Sequence, residues 1–213
     1  MDELIELIRT RRSIRKYKPD DVPDDLIKKI LEAGRWAPSG ENAQPWRFIV
    51  VRDRERIRQM GEYAGWGSRR RFTAEFATGH MQHRFEGLKD PVEKEKAFQK
   101  LISGDVSRFM IGAPVVIVVC AKLAVWDVPY DSFAAIENMV LMAHSLGLGT
   151  CVVVAPVSDM RDDEKMMELL RVPTGYKIIT PIAIGYPNEV HGLRRRLPLE
   201  EITYYEEFGW RKV

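Results

Sequence analysis

Cysteine is nearly missing from this chain: two of 213 residues, Cys120 and Cys151, both in apolar surroundings and without a C-x-x-C spacing. Two such thiols build neither a disulfide framework nor a cysteine-rich zinc site. They predict buried, inert side chains in a reducing compartment. Histidine is scarce too, with four. His80 and His83 form an H-x-x-H pair, but no cysteine adjoins them and His144 and His191 lie far along the chain, so no metal site is predicted. No apolar run, residues 113–121 included, approaches the roughly 20 residues of a membrane span. The acidic opening Met1-Asp2-Glu3 lacks the apolar core of a secretory signal, which predicts a cytoplasmic protein. Charge of one sign is not in excess: 33 Lys+Arg against 31 Asp+Glu leaves a net charge of +2. That balance, with no aromatic residues interleaved among the basic ones, argues against a nucleic-acid binder.

What is present is a chain that is 45% hydrophobic, long enough to bury a substantial core as one α+β domain spanning residues 1–213. Leu4, Ile5, Leu7 and Ile8 recur at helical spacing over residues 2–10. A basic loop follows at 11–18, closed by Pro19. Asp24 and Asp25 mark a second helix start, with Leu26, Ile27, Ile30, Leu31 and Ala33 as its buried face and Pro38-Ser39-Gly40 as its end. Runs at 46–51, 115–120, 151–154 and 178–184 read as strands, and 132–146 and 162–170 as helices. Residues 53–108 are charged and read as helices with a mobile excursion, and the chain from about 188 as an extended tail. Trp66, Trp126 and Tyr130 are better explained as core or covering aromatics than as substrate platforms.

Two segments carry chemistry. Arg11-Arg12-Ser13-Ile14-Arg15 puts three guanidiniums and a hydroxyl in one loop, and Arg194-Arg195-Arg196 is a second cluster. Guanidinium forks grip phosphate bidentately, so a terminal phosphate monoester suits them if the fold unites the two clusters. Neither is a Walker loop or a G-x-G-x-x-G turn. Residues 37–48, Ala-Pro-Ser-Gly-Glu-Asn-Ala-Gln-Pro-Trp-Arg-Phe, combine two prolines and a glycine with Ser, Asn and Gln donors beside a strand start. That donor set suits the carbonyl and imide edges of a flat heterocycle.

These two segments, the helix Ala134-Ala135-Ile136-Glu137-Asn138-Met139 with its Gly147-Leu148-Gly149-Thr150 exit, and Ile184-Gly185-Tyr186-Pro187 together resemble the nitroreductase family of FMN-dependent oxidoreductases. The motifs stand in the family's order from residue 4 to about 200. The resemblance implies a central, mostly antiparallel sheet flanked by helices, in an intertwined homodimer with FMN at the subunit interface. It implies phosphate binding by Arg11, Arg12, Ser13, Arg15, Arg194 and Arg196. Pro38, Ser39, Gly40 and Asn42 match the loop that reaches the flavin ring from the other subunit, and Val154 and Ala155 match positions lining the ring. The implied activity is ping-pong transfer from NADH or NADPH, through FMN, to a flat electrophile such as a nitroaromatic, a quinone or a flavin, with no protein residue assigned as catalytic. Alternatives within the resemblance are a reductive dehalogenase, a flavin-cleaving enzyme, an azoline dehydrogenase or a non-catalytic FMN-binding protein. Glu137 departs from the family, where Gln is common.

Overall fold

Trp46–Val51 (β1), Val115–Lys122 (β2), Gly149–Val152 (β3) and Tyr176–Gly185 (β4) form one antiparallel sheet in the order β1-β2-β4-β3. The structure, a computed structural model, describes residues 3–79, 85–123 and 127–209. His80, His83 and Trp126 lie outside the described residues.

β2 shows why the sheet is central. Its sequence, Val-Val-Ile-Val-Val-Cys-Ala-Lys, is β-branched and buried at every position except Lys122. Successive side chains alternate between the faces. Val115, Ile117 and Val119 pack with Ile27 and Ile30 of α2 (Asp24–Arg35) and with Ile136 and Met139 of α6 (Val128–Ser145). Val116, Val118 and Cys120 pack on the other face with Ile57 and Met60 of α3 (Arg54–Ala77) and Met166 of α7 (Met160–Leu169). Each such side chain taken out of water contributes about 1.5–3 kcal/mol. The α+β architecture and the antiparallel sheet therefore agree with the sequence reading.

Several boundaries differ from those expected. The strand placed at 151–154 begins at Gly149 and ends at Val152. Val154 is already helical (φ −75, ψ −14) and opens a 3-10 turn at Ala155–Val157, where Pro156 has no N–H for a ladder. Helix α6 starts at Val128 rather than 132, with Pro129 in its first turn, where a missing N–H costs nothing. Helix α2 stops at Arg35, before Pro38. Leu26, Leu31 and Ala33 are half-buried, and the deeply buried positions are Ile27, Ile30 and Gly34.

The 53–108 stretch contains α3, 24 residues long and capped by Asp53, then α4 (Pro91–Ile102) capped by Asp90, and the single turn α5 (Asp105–Arg108). A helical turn, α8 (Leu199–Ile202), interrupts the tail. The opening helix α1 (Glu3–Thr10) forms as expected, yet none of its residues is buried, and Leu4, Ile5 and Ile8 stand exposed. Among the described residues no helix is long and apolar enough to cross a membrane.

Both thiols are buried, Cys120 in β2 and Cys151 in β3. Burial pushes Cys120 up to about 12 and raises Cys151 as well. Thiolate is the reactive form, so neither cysteine is expected to react with an aromatic disulfide reagent at pH 8 until denaturant is added. A thiol that titrates within seconds in the native protein would contradict this burial.

Candidate functional site: an arginine-lined pocket

The basic loop is not a free surface turn. After α1 the chain pairs Ser13 with Thr150 at the edge of β3, through Ile14 N–H to Thr150 O at 2.9 Å. It then pairs Tyr17 with Pro187, through Lys18 N–H to Tyr186 O and Asn188 N–H to Lys16 O, both 2.9 Å. The loop is thus fastened between β3 and the residues just after β4. Gly149 makes the fit possible, since a Cβ there would come within 2.7 Å of Ile14 Cβ. Gly149→Ala is expected to push this segment off the sheet at a cost of about 1–3 kcal/mol. Chemical denaturation measures it, and an unchanged midpoint would show that the contact yields freely.

Fastening the loop brings the two arginine clusters together. Arg12 Nε donates to Gly192 O at 3.0 Å, joining the tail to the loop. A pocket of about 220 Å³ results, lined by Arg11, Arg12, Ser13, Arg15, His191, Arg194 and Arg196. All six residues expected to contact phosphate are present in it. Its carboxylates are few: Glu137 Oε1 is 4.0 Å from Arg11 Nε. Glu189 accepts the backbone N–H groups of Arg15 (2.5 Å) and Lys16 (3.1 Å). Burial pushes the Glu189 carboxyl upward, but the Arg15 N–H, His191 and the Lys16 N–H outweigh it and hold the group below the usual glutamate range. Among the described residues, Arg12, Arg15, Arg194 and Arg196 have no carboxylate within ion-pair distance. Five guanidiniums with so little counter-charge repel one another, and a multivalent anion relieves that repulsion.

The loop at 38–44 is strained, though not at its glycine. Glu41 (φ 53), Asn42 (φ 53) and Gln44 (φ 46) occupy the left-handed region while Gly40 does not. Such residues cost about 1 kcal/mol or more each and persist only when their surroundings hold them. Here Ser39 Oγ accepts Gln44 N–H at 3.0 Å, and Asp131 at the start of α6 accepts Gly40 N–H at 3.2 Å. Side chains of Ser39, Asn42 and Gln44 border this turn.

Pro38, Ser39, Gly40 and Asn42 do not meet the arginine pocket within the chain. The loop is tied to Asp131 near the N-terminus of α6, whereas Thr10, at the edge of the pocket, contacts His144 Nε2 at 3.0 Å near its C-terminus. Asp131 and His144 are separated by roughly 20 Å of helix at 1.5 Å per residue. The loop also leads into β1 at one edge of the sheet, while the pocket adjoins β3 at the other.

Val154, exposed, and Ala155, half-buried, follow β3 on the pocket's own side. They abut α3 so closely that a Cβ on Gly67 would fall 2.1 Å from Ala155 O. A cleft of about 960 Å³ opens beside them, lined in part by Arg69, Arg70, Arg71 and Arg161. Arg70 is held by Asp159 at 2.9 Å and by the fully buried Asp162. The sequence reading missed this cleft, Glu189 and His191. Arg69-Arg70-Arg71 was a visible signal, but no local pattern marks His191 or Glu189.

The nitroreductase family model matches residues 8–186. An NADH dehydrogenase of Thermus thermophilus is 30% identical over 92% of this chain and 92% of its own. An FMN reductase [NAD(P)H] of Bacillus subtilis is 27% identical over 98% of this chain and 75% of its own. The solved structure of an FMN-dependent nitroreductase from Clostridium difficile superposes with a TM-score of 0.72 at 27% identity, covering 96% of this chain and 99% of the other. With the matching motifs spread from the arginine loop to the end of β4, the chain belongs to the nitroreductase family.

Proposed function

We propose that this protein is an FMN-dependent oxidoreductase that takes electrons from NADH or NADPH and passes them to a flat electrophile, a nitroaromatic, quinone or flavin, by alternating occupancy of one site. The observation that carries the reading is the union of the two arginine clusters in one pocket with Ser13. A donor set of five guanidiniums and a hydroxyl, short of carboxylate partners, fits the phosphate of FMN. Bound FMN would supply the two-electron chemistry. The chain's own residues then bind and orient. Arg11, Arg12, Ser13, Arg15, Arg194 and Arg196 hold the phosphate, and Val154 and Ala155 border the ring. The arginines of the neighbouring cleft are largely neutralised, Arg70 by Asp159 and Asp162, Arg71 by Glu75 at 2.6 Å and Arg161 by Asp159 at 2.7 Å.

The same reading requires a second copy. Ser39, Gly40 and Asn42 lie on the opposite edge of the sheet from the pocket, so a site using both sets draws them from two chains. The exposed apolar residues support this arrangement: Leu4, Ile5 and Ile8 on α1, Tyr130 and Phe133 on α6, and Leu193, Leu197, Leu199 and Phe208 along the tail. So much apolar surface in one chain is what a homodimer interface covers. We read residues 1–213 as one domain of that dimer, working in the cytoplasm.

The test is an absorbance spectrum of the purified protein followed by anaerobic addition of NADH and NADPH in turn. A yellow protein that bleaches with either donor and recovers on addition of a quinone is the expected result. A colourless protein that cannot be reconstituted with FMN would overturn the reading, and a yellow one that resists both donors would reduce it to a flavin-binding protein.

A further inference from the structure

The turn at 38–44 closes on itself through three short bonds. Asn42 N–H donates to Ser39 O at 3.1 Å, Ala43 N–H to Gly40 O at 2.9 Å and Gln44 N–H to Ser39 Oγ at 3.0 Å. These bonds shape the turn without placing it. Its far end is tied where Pro45 O accepts Lys122 N–H at 3.0 Å, beside β2. Among the described residues, one hydrogen bond runs from residues 38–43 to another element: Gly40 N–H donates to Asp131 Oδ1 in the first turn of α6, at 3.2 Å. With Glu41, Asn42 and Gln44 in the left-handed region, the turn relaxes unless it is held from outside.

Asp131 does little for its own helix. It is 9% exposed, and among the described residues its side chain accepts no N–H of α6, while Oδ2 is buried without a hydrogen-bond partner. The neighbouring Ser132, by contrast, bonds back to Val128 O within the helix at 2.6 Å. Taking a carboxyl group out of water with one oxygen unpaired works against stability. What Asp131 secures is the place of Gly40, and with it Ser39 and Asn42 of the same turn. Those residues stand at the sheet edge opposite the arginine pocket, so the flavin they serve is one bound by a second copy of the chain. We infer that Asp131 is a positioning residue acting across the dimer: it sets the 38–44 turn against the flavin ring held by the second copy and takes no part in binding phosphate.

This inference rests on the FMN reading above, and its failure is separable from the failure of that reading. Asp131→Ala removes the acceptor and releases the turn. FMN and riboflavin affinities are expected to fall by the same factor, about tenfold, the worth of one hydrogen bond to a carboxylate. Equal loss is the signature of the ring, because riboflavin lacks the phosphate. Asp131→Asn keeps an oxygen of the same reach and is expected to restore most of the affinity. Gly40→Pro deletes the same bond from the exposed side of the turn, so the test stands even if Asp131→Ala does not fold. Ser39 is already extended (φ −146, ψ 149), as the residue before a proline must be. Gly40→Pro is expected to lower both flavin affinities together as well.

A merely structural aspartate is told apart by mixing chains. Co-expression of Asp131→Ala, or of Gly40→Pro, with an Arg15→Ala/Arg196→Ala chain is expected to give mixed dimers. One site in each then combines the intact arginines of the first chain with the properly held turn of the second. About a quarter of the wild-type sites should regain wild-type affinity for FMN, read by flavin fluorescence after gel filtration. Damage confined to the variant's own chain would restore none, and that result would overturn the inference. So would an Asp131→Ala protein that binds both flavins as the wild type does, or one that loses FMN alone. A wild-type protein that binds neither flavin would take down the FMN reading itself.

Discussion

Replacing Arg15 or Arg196 by alanine is expected to weaken FMN about tenfold to a hundredfold while changing riboflavin affinity little. The two residues come from opposite ends of the chain and line one pocket, and neither has a carboxylate partner among the described residues. Their positive charge is therefore available to a ligand rather than spent on an internal ion pair. Arg11 is a poorer choice for the test, because Glu137 stands 4.0 Å from it and shares its charge. In the double variant the loss should fall short of the product of the two single losses, since neighbouring charges acting on one anion are coupled. Flavin fluorescence during titration with each ligand measures the effect. Equal losses for FMN and riboflavin would mean that the arginines hold the fold or the ring rather than the phosphate.

The second large effect concerns two chains. A dimer of the Arg15→Ala/Arg196→Ala variant lacks its phosphate grip, and a dimer of Gly40→Tyr carries bulk on the loop. Gly40 has room for a side chain within its own chain, its nearest neighbour being Asp127 Oδ2 at 3.5 Å from a built Cβ. Each variant alone is expected to bind FMN poorly. Co-expressed, they are expected to form mixed dimers in which one of the two sites takes its phosphate residues from one chain and its loop from the other, both unaltered. A statistical mixture should recover about a quarter of the wild-type sites. Absorbance per chain after gel filtration with FMN reads this out. If the pocket and the loop served one site within a single chain, mixing would restore nothing.

Much of the fold was legible because it is local. The β-branched run of β2 and the apolar spacing of α2 each declare their element within a few residues. The errors fall where a distant partner decides. The sequence starts β3 two residues late, at Cys151, because Gly149 and Thr150 look like a turn. They are strand because β4 pairs with them and Ile14 packs on Gly149. α1 reads as an amphipathic helix and is one, but Leu4, Ile5 and Ile8 of its apolar face stay exposed, which no spacing reveals.

The phosphate-binding composition of the site was likewise written in the sequence, as two clusters of arginine whose chemistry needs no fold to state. Whether they act on one anion was not. Arg12 and the Gly192 carbonyl it binds are 180 positions apart, and they meet because Ser13 pairs with Thr150 and Tyr17 with Pro187 at the margin of the sheet. Tertiary structure also decided that the 38–44 loop lies at the far edge, that its strain falls on Glu41, Asn42 and Gln44, that His191 lines the pocket and that Glu189 holds the backbone of the arginine loop. The physical reason is the same in each case. Charge, capping and periodicity are properties of neighbours along the chain, whereas convergence is set by long-range strand pairing whose register depends on the whole core.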